Sequence, residues 1–253
     1  MLLILPPSES KRAGGEGAAI DLGRLSFPEL TPQRASVLAA LEELAVDLDA
    51  MAAALKVGEG LRQEIERNRE LVTSATLPAL ERFTGVLYDA LDAATLGEGE
   101  RAFAGRHIAI HSALFGLIGA SDAIPAYRLS HDSRIPGVSL KRTWARAIAD
   151  TLERREGIIL DLRSEAYAAL GPAPRRPDSF FVRVVAEDGG GRRRALNHFN
   201  KKGKGEFVRA VIQSGQVFAD ADALMRWSAS AGFPLDHGRE GELELVVANS
   251  LAA

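Results

Sequence analysis

Two short apolar runs limit what this chain can fold into. Leu2 to Leu5 is apolar at every position, and Gly157-Ile158-Ile159-Leu160-Asp161-Leu162 is nearly so. Neither alternates apolar with polar, as a strand with one wet face does. A strand apolar on both faces has to be covered on both faces, so these runs belong in the middle of a sheet flanked by helices. Helical periodicity supplies the cover: Pro32 to Val46, Leu48 to Leu55, Leu61 to Leu71, Leu77 to Leu91, Trp144 to Leu152 and Ala219 to Ser228. Further strands are predicted over Arg106 to His111, Ser179 to Glu187, Arg194 to Phe199 and Leu243 to Ala248, and a buried turn or short helix over Ser112 to Ala120. The fold class is therefore α/β in the mixed α+β sense. One compact domain over residues 1–253 is expected, because neither an internal repeat nor a linker interrupts the chain.

In open sheets with parallel strands, ligands collect where the strands end at their carboxyl side. The first run stops at Pro6-Pro7 and opens into Ser8, Glu9, Ser10, Lys11 and Arg12: a hydroxyl, an acid and two bases. The second opens into Arg163-Ser164-Glu165-Ala166-Tyr167. Here Glu165 and Tyr167 are candidates for acid/base work, although Ser164 also suits a helix N-cap with Glu165 in the first turn. Tyr127-Arg128, close after Pro125, offers a planar cation beside an aromatic ring. Tyr88 lies in a Phe-x-Gly-x-x-Tyr stretch from Phe83 whose glycine permits close approach.

The basic segment from Arg192 to Arg209 carries seven Lys or Arg and one acid, net +6 on a chain of net −3. Its pattern reads as a strand, a lysine-glycine loop through Lys201, Lys202, Gly203, Lys204 and Gly205, and then a helix with Phe207, Val208, Val211 and Ile212 on one face. A glycine-spaced cationic loop before a helix start suits phosphate, since free amides and full charges then face the same anion. His198 and Arg209 flank it. A second anion feature is a helix-hairpin-helix-like element over about 47–71, with Lys56, Gly58 and Gly60 at its turn. Such a hairpin grips nucleic-acid phosphate; a plain helical pair with a glycine cap fits the same residues.

The absence of cysteine excludes disulfides, thiolate metal sites and cysteine nucleophiles. The five histidines are scattered, and His107 and His111 have no glutamate between them, so the residues suggest neither a metal centre nor a cofactor. The apolar N-terminal run is too short to span a membrane, and a cytoplasmic protein is expected.

Taken together these blocks resemble the YaaA family of peroxide stress proteins. Leu5 to Arg12 is similar to its Pro-Pro-Ser-Glu-Gly-Lys block, with Ser10 in place of the glycine. Phe83 to Leu91, Ser112 to Leu129, Leu162 to Tyr167 and His198 to Arg209 resemble further family blocks in the same order. The resemblance implies a compact mixed α/β fold with a helix-hairpin-helix and a positive groove. It also implies a role in DNA binding and in limiting iron-dependent peroxide damage.

Two function classes follow. One is a DNA binder, on duplex or branched DNA, that holds the phosphate backbone without strong sequence specificity. Its contacts would come from Ser8, Lys11, Arg12, Lys56, Gly58, Gly60, Tyr88, Tyr127, Arg128, His198, Lys201, Lys202, Lys204 and Arg209. The other is an enzyme on a nucleotide, nucleoside or other phosphorylated small molecule, with Glu9, Glu165 and Tyr167 as acid/base groups and Arg128 and the lysines on phosphate.

Overall fold

The computed structural model describes residues 1–187, 193–195 and 200–248. Its centre is β1 (Leu2–Leu5), every residue of which is buried. The chain then adds α1 (Thr31–Leu44), α2 (Leu48–Leu55), α3 (Arg62–Glu66), β2 (Leu77–Pro78), α4 (Ala79–Arg82), α5 (Val86–Leu91), α6 (Glu98–His107), β3 (Ile108–Ser112), β4 (Gly116–Gly119) and β5 (Ala123–Ile124). After these come α7 (Leu140–Glu153), β6 (Ile159–Asp161), α8 (Glu165–Ala168), β7 (Ser179–Glu187), β8 (Arg193–Ala195), α9 (Asn200–Ser214), α10 (Ala221–Ser230), β9 (Leu235–His237) and β10 (Glu242–Ala248).

The main sheet runs β4-β3-β1-β6-β7-β10-β9, with β8 paired to β7. Leu3 sits opposite Ile108 on one side and Leu160 on the other, both in parallel register. The two apolar runs are thus adjacent central strands, as their lack of alternation requires. Among the described strands, antiparallel pairing involves β4, β8 and β9 and the separate β2–β5 pair, and isolated antiparallel bridges join Lys11 to Phe83 and Gly17 to Thr76.

Four expectations are corrected or narrowed. Of the buried turn or short helix expected over 112–120, the structure forms the turn, which leads from the end of β3 at Ser112 into strand β4. Ser112 Oγ accepts from the Leu114 and Phe115 amides, and Gly116 takes φ +65° to enter the strand. A side chain at 116 would also meet the buried Trp144 ring, whose indole donates to the Ala113 carbonyl at 2.9 Å. Residues 77–91 are not one helix. Gly85 at φ +93° separates α4 from α5, and the released backbone at Thr84 donates to Ser10 of the N-terminal loop. The helix expected over 61–71 is α3 followed by a 3-10 turn, Arg67–Glu70.

The lysine-glycine stretch is the largest correction. Lys201 to Gly205 are the first turns of α9, not a loop. The glycines are there for packing. A Cβ on Gly205 would collide with the Leu87 carbonyl oxygen and lie 2.9 Å from Ala90, so only glycine lets α9 close on α5. Residues 196–199 of the expected strand, and His198 with them, lie outside the described residues. The part described, Arg193–Ala195, does pair antiparallel with β7.

Candidate functional site

β1, β3 and β6 run parallel, so their carboxyl ends open on the same edge of the sheet. From β1 the chain turns through Pro6 and Pro7, and Lys11 folds back under its own loop. Its ammonium donates to the Ser8 carbonyl at 3.0 Å and the Glu9 carbonyl at 3.2 Å. It also lies over the Tyr127 ring, 4.1 Å from the centroid, and 5.2 Å from that of Phe83. Burial pushes its pKa down to about 7, and Arg128 nearby adds to the effect; Glu64 and Glu9 pull the other way.

Arg128 is the hinge of the charged rim. One arm donates to Glu9 at 2.5 Å and the other to Glu64 of α3 at 2.8 Å. Its backbone exchanges two hydrogen bonds with the buried Asn68 side chain. The helical pair and the N-terminal loop are thereby tied to one arginine. Glu9 is well exposed while Arg128 is mostly covered, so the Glu9 arm is the one a ligand can displace.

The chain has three tyrosines, and all three are buried here. Tyr88 donates to the Pro6 carbonyl at 2.7 Å. Tyr127 Oη lies 2.7 Å from Ser112 Oγ. Tyr167 packs between His131 and His111, with ring centroids at 5.1 and 5.6 Å. Burial raises the pKa of each, and the hydroxyls of Tyr127 and Tyr167 raise that of Tyr88 further. All three are therefore neutral donors at physiological pH.

Behind them lies a sealed ion pair. Arg163 is fully buried and binds Asp161 through two bonds of 2.7 and 2.6 Å. It also donates to the Gly171 carbonyl and to His111 Nδ1, each at 2.8 Å. An arginine has no acceptor to offer, so Nδ1 must be bare and the His111 proton sits on Nε2. Burial, with the Arg163 charge beside it, holds the His111 pKa well below its usual value. Sequence reasoning set His111 aside as a metal ligand and named Arg163 and Ser112 only within longer blocks, giving none of the three a site role; their pairing depends on contacts between separate segments.

A family profile described as peroxide stress protein YaaA matches residues 1–237. The chain belongs to the YaaA peroxide stress protein family. It is 43% identical over 243 residues to a UPF0246 protein of Corynebacterium glutamicum, covering 93% of this chain and 95% of that one. It is 38% identical over 261 residues to a UPF0246 protein of Streptomyces coelicolor, covering 98% of each. A Campylobacter jejuni protein, uncharacterized by its own name, is 26% identical over 229 residues, covering 88% of this chain and 89% of that one.

The remaining site candidates of this YaaA-family chain are dispersed. Lys204 is buried in α9, donates to the Leu162 carbonyl at 2.9 Å and stands over Phe181; burial lowers its pKa to about 8. Its neighbour Lys201 is exposed, and Lys202 faces Glu206 at 3.7 Å. Arg209 caps the end of α5 through the Leu91 and Asp92 carbonyls. Lys56 ends α2 in a left-handed conformation and pairs with Asp132 at 2.8 Å; Gly58 and Gly60 face open space. Ser164 caps α8, and Glu165 points outward to Arg183 at 3.2 Å. So Ser8, Glu9, Lys11, Tyr88, Tyr127, Arg128 and Tyr167 come together, with Arg12 exposed at the loop's far end. A separate cavity of about 820 Å³ opens beside Asp161, Phe181 and Glu242.

Proposed function

We propose that this peroxide stress family member is an enzyme acting on a nucleotide or other phosphorylated small molecule at the carboxyl ends of β1, β3 and β6. The observation that carries this is the convergence of all three tyrosines with Lys11 and Arg128. Tyrosines that contact a phosphate backbone do so from the surface, whereas these three are buried. Arg128 would take the phosphate as Glu9 swings away, because its planar fork matches phosphoryl oxygens. Lys11, with a pKa of about 7, would exchange a proton at neutral pH. Calorimetry with inorganic phosphate, AMP and ATP, followed by chromatography for turnover, tests this. Binding that falls about tenfold or more in Arg128→Ala supports the reading. Unchanged binding in that variant, or no heat from any of the three, rejects it.

A second reading, DNA binding in peroxide defence, has its own support. Arg128 joins the helical pair to the N-terminal loop, and Arg12 and Lys201 are exposed. Backbone binding makes log K fall linearly with log salt, by about 0.9 per phosphate neutralised. Duplex and branched DNA titrated across salt, with Arg12→Ala and Lys201→Ala, tests it; a flat plot ends it.

A further inference from the structure

The hydrogen bond between Ser112 and Tyr127 has one workable direction. Ser112 Oγ accepts from the Leu114 amide at 3.1 Å and the Phe115 amide at 2.9 Å. Both lone pairs of the serine oxygen are then taken, so its own proton must go to Tyr127 Oη, 2.7 Å away. The Tyr127 phenolic proton is left over. Among the described residues Ser112 is the only hydrogen-bond partner of that hydroxyl. Among the described residues the Lys11 ammonium lies over its ring face and the Phe115 and Phe83 rings pack T-shaped against it, and Tyr167, close enough to feel its charge, makes no hydrogen bond to it. Tyr127 is 3% exposed, so its hydroxyl is largely shielded from bulk solvent.

A buried donor without an acceptor is costly and calls for a partner. Two features say what kind. Accepting from Ser112 polarises the phenol and makes its own proton a better donor. The Lys11 charge above the ring favours a negative partner over a neutral one. We propose that the Tyr127 hydroxyl is the hydrogen-bond donor this site presents to its ligand, directed at an anionic oxygen of a phosphate-bearing small molecule. The assignment rests on the enzyme reading above. It gives Tyr127 a ligand-binding role in which Ser112 is the positioning residue.

The test uses the full chain labelled with 3-fluorotyrosine. Three tyrosines give three fluorine signals, assigned by single Tyr→Phe variants. Inorganic phosphate and AMP are titrated in, with calorimetry in parallel. The Tyr127 signal is expected to move to saturation together with the heat. Tyr127→Phe keeps the ring under Lys11 and is expected to weaken binding about tenfold. Heat with a stationary Tyr127 signal, or full affinity in Tyr127→Phe, overturns the donor assignment and leaves the ligand reading standing. No heat from either ligand with the wild-type chain removes that reading and the assignment with it. If Tyr127→Phe does not fold, the fluorine titration of the wild-type chain decides alone.

Discussion

Tyr88 on α5 donates its hydroxyl proton to the carbonyl of Pro6, 82 residues earlier, at 2.7 Å. Proline has no amide to join a ladder, so the chain leaving β1 is held by its carbonyl. This bond sets where the N-terminal loop begins, and Lys11 and Glu9 inherit their positions from it. Tyr88→Phe is expected to lower stability by about 1 kcal/mol, because it leaves a half-buried carbonyl without its protein donor. Urea unfolding should show a lower midpoint with an unchanged slope.

Glycines that look equivalent along the chain should behave differently. Gly205→Ala forces a methyl group against Leu87 and Ala90, and is expected to cost about 1–3 kcal/mol by overpacking the α5–α9 contact. Gly58→Ala meets nothing within 4 Å and should change stability by less than about 0.5 kcal/mol. Equal effects in thermal unfolding would show that α9 does not close on α5 as described.

Lys11 and Lys204 set a pH dependence. Both have folded pKa values, about 7 and about 8, below the ordinary lysine value of 10.5. The folded state therefore holds fewer protons than the unfolded chain in the interval between. Stability should rise as pH climbs from about 7 to about 10, by up to about 1.4 kcal/mol per unit for each lysine once its own folded pKa is passed. Lys11→Met should remove one share of that slope. Denaturant unfolding at several pH values checks it; a wild-type slope matching the variant's places the Lys11 charge in water.

The Asp161–Arg163 pair is sealed from solvent. Asp161→Asn is expected to destabilise by about 3–5 kcal/mol, since it strands the Arg163 charge in the interior. The exposed Lys56–Asp132 pair should give less than about 1 kcal/mol when Lys56 becomes Ala. Arg163→Met adds a direct readout: His111 Nδ1 loses its donor, and the tautomer seen by nitrogen NMR should no longer be held to Nε2–H.

Much of this was written locally. The Leu2–Leu5 and Gly157–Leu162 runs declared central strands because side chains alternate faces, and a run apolar on both sides has one place to go. The polar loops after them marked the sheet edge at which Lys11, Arg128 and the three tyrosines converge. Ser164 announced its cap, which depends only on a hydroxyl meeting an amide three residues on. Lys201 to Gly205 were different. Lysines among glycines suit a phosphate loop and a tightly packed helix equally, and the choice fell to Leu87 and Ala90, more than a hundred residues away. The partners of Arg128, the burial of Lys204 and the direction of the Ser112–Tyr127 bond were settled the same way. Charge and hydrogen-bonding capacity belong to a residue, but which of them is spent depends on neighbours that only the folded chain supplies.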